Sequence, residues 1–101
     1  MKLVMVTSVE DFHNDILQLF NKAGIKNFSE SGIDGYKNVP AILSSSNWFG
    51  AQKNATNSIL IFSFTKAEKI DKLFLLLEEF NQKLETNNPI KAVVLPIEKH
   101  L

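Results

Sequence analysis

Three short segments of this chain are apolar at every consecutive position: Leu3-Val4-Met5-Val6, Ile59-Leu60-Ile61-Phe62 and Ala92-Val93-Val94-Leu95. Their lengths, their β-branched and aromatic content and the polar residues that bound them are those of strands. Successive strand residues point to opposite faces, so each of these strands is apolar on both sides. Such strands must be covered twice. A fourth segment, Phe28 to Tyr36, reads as a more polar strand in which Gly32 and Gly35 suggest a bulge or a bend.

Only two segments carry helical periodicity. In the first, Phe12, Ile16, Leu17, Leu19, Phe20 and Ala23 recur at helical spacing, and Gly24 supplies a stop. In the second, Ile70, Leu73, Phe74, Leu77, Phe80 and Leu84 form one broad face that ends at Asn87-Asn88-Pro89. Ser8-x-x-Asp11 and Thr65-x-x-Glu68 have the form of helix starts. The order is therefore βαββαβ, one domain over residues 1–101, with a long loop from Lys37 to Asn57 between the second and third strands. Right-handed crossovers put both helices on the same face of one sheet, which predicts an α+β, ferredoxin-like layer with an antiparallel sheet. The other face of that sheet should be polar in a monomer, and it is not. Oligomerisation through the sheet face is the economical answer.

Composition removes whole classes of function. Basic and acidic residues both number 11, so no net field gathers nucleic acid or an acidic membrane, and every basic residue is lysine. Without arginine the bidentate fork that clamps phosphates is missing. The absence of cysteine excludes disulfides, a thiolate metal site and a cysteine nucleophile together. The apolar run at the N-terminus is too short for a signal peptide and none approaches a membrane span, so a cytoplasmic location is expected. No nucleophile–base pair can be assembled, and no catalytic residue or metal ligand is predicted.

The stretch from Met1 to Asn27 resembles, without a gap, the opening strand and helix of the PII signal-transduction proteins. Gly35-Tyr36 stands where that family has a glycine–aromatic pair before its flexible T-loop, and Lys91-Ala92-Val93-Val94-Leu95-Pro96-Ile97-Glu98 is similar to its last core strand. The likeness covers nearly the whole chain, although only the last segment is fairly specific. It implies a signal-transduction homotrimer built on packed sheets, with ligand clefts between subunits. It also implies a protein partner bound through a T-loop-like insertion, a membrane transporter being one such partner.

The chain also departs from that pattern. Where the family has a glycine-rich cradle for nucleotide phosphates, this sequence has Asn88-Pro89-Ile90 before Lys91. Proline has no N–H, and a side chain stands where backbone must approach the ligand closely. The family's arginine-containing tail has no counterpart in Lys99-His100-Leu101, and the only tyrosine, Tyr36, precedes the loop. The expectation is an atypical PII-like protein with no cofactor, to which ATP and ADP bind weakly or not at all.

Two groups of residues are candidates for binding. Gly35 and Lys91 are placed by the resemblance at a ligand cleft, although, without arginine or a glycine loop beside it, Lys91 reads more simply as a solvated lysine at a strand start. In the loop, Ile42, Leu43, Trp48 and Phe49 are apolar residues framed by Ser44-Ser45-Ser46-Asn47 and Gln52-Lys53-Asn54, a pattern that suits docking into a partner. The competing reading folds Trp48 back onto the protein. The loop is expected to be mobile when free and to become ordered on a partner. His13 and Asp15 are two apart at a helix start and point to different sides, so they read as solvated surface residues. A CutA-like, divalent-metal-related protein and a purely structural trimer are the alternatives. An RNA-recognition domain shares the element order and the paired Phe62 and Phe64, but lacks the basic footprint.

Overall fold

Two of the three two-sided apolar strands occupy the centre of the sheet, and the third lies at an edge. In the computed structural model, which describes residues 1–36, 55–84 and 88–101, β1 (Lys2–Val9) pairs with β3 (Ala55–Thr65), from Lys2 opposite Thr65 to Val9 opposite Ser58. The polar β2 (Ser29–Tyr36) lies at one edge against β3, and β4 (Lys91–Pro96) at the other against β1. The order is β2-β3-β1-β4 with every neighbouring pair antiparallel. The architecture is the ferredoxin-like α+β layer that the element order predicts.

Helix α1 (His13–Lys22) turns Ile16, Leu19 and Phe20 inward, and α2 (Ala67–Gln82) does the same with Ile70, Leu73 and Leu77. These spacings of three and four residues make one apolar stripe per helix. Both stripes close over Val4 and Val6 of β1 and Ile59 and Ile61 of β3, with Ile25 and Ile90 filling the ends of the core. Helix α1 stops where the sequence says it should. Gly24 adopts φ +81°, and the N–H groups of Gly24 and Ile25 bond to the carbonyls of Asn21 and Phe20, each at 3.0 Å. That paired bonding satisfies two carbonyls the helix end would otherwise leave open.

Several local expectations are corrected. Ser8 does not cap a helix. It faces inward with Val4 and Val6, its hydroxyl bonds to the Val9 carbonyl at 2.8 Å, and a 3-10 turn over Glu10–Phe12 leads into α1. The strand's period of two, fixed by the core, outweighs the local capping pattern. Thr65 likewise ends β3, and Lys66 takes the cap position of α2 with no side-chain bond. Gly32 and Gly35 make no bulge, because β2 pairs with β3 one to one from Ser29–Phe62 to Tyr36–Ala55. A side chain at Gly32 would meet nothing within 4 Å. Strand β3 also starts earlier than expected, taking Ala55, Thr56 and Asn57 from the predicted loop. Phe28 precedes β2 and stacks its ring 5.2 Å from that of Phe20. His13 is not merely solvated, since its Nε2 lies 2.6 Å from Glu30 Oε2 and links the start of α1 to the edge strand.

Candidate functional site

The face of the sheet away from the helices is where packing is unfinished. Strand registry builds it in rows. Leu95, Leu3 and Phe64 form one row; Val93, Met5 and Phe62 the next; then Lys91, Thr7 and Leu60, beyond which Val9 and Ser58 adjoin Ile33. The first two rows are entirely apolar across three strands. Phe64 is 57% exposed, Val93 53% and Leu95 44%, and the Phe62 and Phe64 rings meet edge-on at 6.2 Å. A contiguous apolar surface of this kind is not what a monomer ordinarily shows to water.

Towards the other end of the same face the rows turn polar and deepen into a cleft of about 270 Å³. Its floor is Thr7, Val9 and Ser58 on the central strands. Ile33, Gly35 and Tyr36 border it on the β2 side, and Asn88, Pro89 and Lys91 on the β4 side. The fold thus brings Gly35 and Lys91, from opposite edges of the sheet and 56 positions apart in sequence, to one cavity. Lys91 is exposed and makes no ion pair among the described residues. One lysine, the Thr7 hydroxyl and the backbone beside Gly35 can offer donors to a small anion; they do not supply the multiple cationic contacts a polyphosphate uses. Among the described residues no three histidine, aspartate or glutamate side chains converge as metal ligands. Ile42, Leu43, Trp48 and Phe49 lie outside the described residues.

One residue that shapes the cleft was not singled out in the sequence. The Asn81 side-chain amide of α2 brackets the backbone of Ile90: its Nδ2 donates to the Ile90 carbonyl and its Oδ1 accepts the Ile90 N–H, both at 2.9 Å. The available signal was position, since Asn81 falls four residues after Leu77 on the buried stripe of α2, where an apolar side chain is expected. Ser63, like Ser8, is an inward polar residue, and its hydroxyl donates to the Asn27 carbonyl at 2.6 Å.

No protein-family model matches the chain, and no curated protein matches it. A solved structure does. The crystal structure of a protein from Thermus thermophilus, provisionally assigned as a PII-like signalling protein, aligns over 92% of this chain and 82% of that one with a TM-score of 0.61. The chain shares that protein's fold. Sequence identity is 15%, so the likeness is one of fold: four antiparallel strands under two helices, the PII-like arrangement. No helix among the described residues is long and apolar enough to cross a membrane.

Proposed function

We propose that this chain works by binding, as a PII-like regulatory protein. Copies of it, three by the resemblance in sequence, assemble around the open faces of their sheets. A small anion is held near Lys91 and Gly35, and Ile42, Leu43, Trp48 and Phe49 dock a protein partner. The observation that carries the reading is the open face itself, apolar across β4, β1 and β3 in two rows, Leu95-Leu3-Phe64 and Val93-Met5-Phe62. Fully burying a side chain of the size of Val93, Leu95 or Phe64 contributes roughly 1.5–3 kcal/mol. These three are already about half buried, so association gains roughly half of that from each, and a handful per copy favours it. The cleft lies on the same face, so copies that close over the apolar rows also wall the cleft. The PII-like fold of the Thermus protein supports the same reading.

A charge placed on that face tests it. Phe64→Lys should leave the circular dichroism spectrum and the core intact, because Phe64 points away from the helices, yet it should reduce the mass measured by light scattering to that of one chain. A variant that still assembles like the wild type would show that the apolar face is not the contact. An open face that remains monomeric and captures single-stranded RNA on Phe62 and Phe64 would favour the RNA-recognition alternative instead.

A further inference from the structure

We propose that Asn81 is a positioning residue for the cleft, setting where its Asn88–Lys91 wall stands without contacting whatever occupies it. The inference rests on the reading of the cleft as a ligand site. Lys91, the first residue of β4, projects from the wall's end, and Asn88 and Pro89 form its rim. Pro89 has no N–H to contribute to any anchor. The residue between the rim and Lys91 is Ile90, whose side chain is buried in the core and whose N–H and C=O both go to the Asn81 amide. A side-chain amide presents one N–H and its C=O along the same edge, as a strand residue presents its own N–H and C=O, so Asn81 acts as a one-residue strand partner lent by the last turn of α2. Thr7 opposite Lys91 then fixes the lysine's register on the sheet, while Asn81 fixes the approach of the wall. Neither aspartate nor leucine reproduces this. Aspartate keeps the acceptor and loses the donor, and leucine, of nearly the same size, keeps neither.

The test uses the full chain with Asn81→Leu and Asn81→Asp, read by amide hydrogen exchange and by NMR titration with inorganic phosphate. In Asn81→Leu the amides of Asn88, Ile90 and Lys91 should exchange at least tenfold faster, with those of Val4, Val6 and Ile61 unchanged. The Lys91 and Gly35 resonances should then report phosphate binding weakened at least tenfold, with Asn81→Asp intermediate. If Asn81→Leu does not fold, Asn81→Asp carries the comparison alone. Uniform loss of protection across the core would make Asn81 a general structural residue and overturn the proposal, as would phosphate binding unchanged in both variants. Should phosphate leave the wild-type resonances unmoved while exchange changes only at the wall, the positioning role stands and the anion reading of the cleft fails.

Discussion

At the scale of single residues, much of this fold rests on positions whose alternatives are sterically or chemically closed. Gly24 is one. Its φ of +81° lies in the left-handed region, and a Cβ added there would come no closer than 3.8 Å to the Lys69 side chain. Space is therefore not the obstacle, and the penalty of Gly24→Ala should be that of the backbone conformation alone, about 1–2 kcal/mol. Chemical denaturation should register it as a lower midpoint with an unchanged m-value. Asn88-Pro89 is the other case. Proline and a side-chain-bearing neighbour replace the backbone donors that a polyphosphate needs, so calorimetry with ATP and ADP should show weak binding or none; sub-micromolar affinity would contradict this account of the cleft. Gly24 was readable in the sequence because a glycine after an apolar periodic run has a local cause. Asn81 was not, because its role is defined by Ile90, a residue it meets only in the folded chain.

At the scale of elements, the strands and helices were legible and their ends were not. The apolar runs that became β1, β3 and β4 and the stripes on α1 and α2 are set by burial, which acts on many residues at once. The caps failed because Ser8 and Thr65 sit in strands whose register is locked by neighbours on both sides, from Val4 opposite Ser63 to Ser8 opposite Ile59. A glycine-induced bulge in β2 failed for a related reason: at a sheet edge with open space over Gly32, straight pairing with β3 meets no obstacle. Part of the cleft's lining was equally legible. Gly35 and Lys91, picked out by resemblance, do border one cleft, whereas Ser58 and Thr7 on its floor carried no sequence signal apart from their place in a strand. For the segment between β2 and β3, the proposed docking role of Trp48 makes its own prediction. Trp48→Ala should leave the melting temperature nearly unchanged and weaken capture of a partner by roughly 2 kcal/mol or more. A Trp48 whose fluorescence is blue-shifted and shielded from quencher, with a sharp fall in melting temperature on substitution, would place it in the core and end the docking idea.

At the scale of the whole molecule, two helices cannot cover a sheet whose central strands are apolar on both sides. They bury Val4, Val6, Ile59 and Ile61 and leave Leu3, Met5, Phe62, Phe64, Val93 and Leu95 on the opposite face, where no helix or strand among the described residues covers them. Cyclic assembly, as proposed above, would resolve this, because each copy would supply cover for another and the ring would close without leaving a sticky face. It also accounts for the position of the cleft, at the polar end of the very face that association would enclose. The most direct measurement is sedimentation equilibrium of the wild-type chain at micromolar concentration. A mass of about three times the 11.4 kDa chain is the predicted result; a clean monomer with an intact fold would contradict the account.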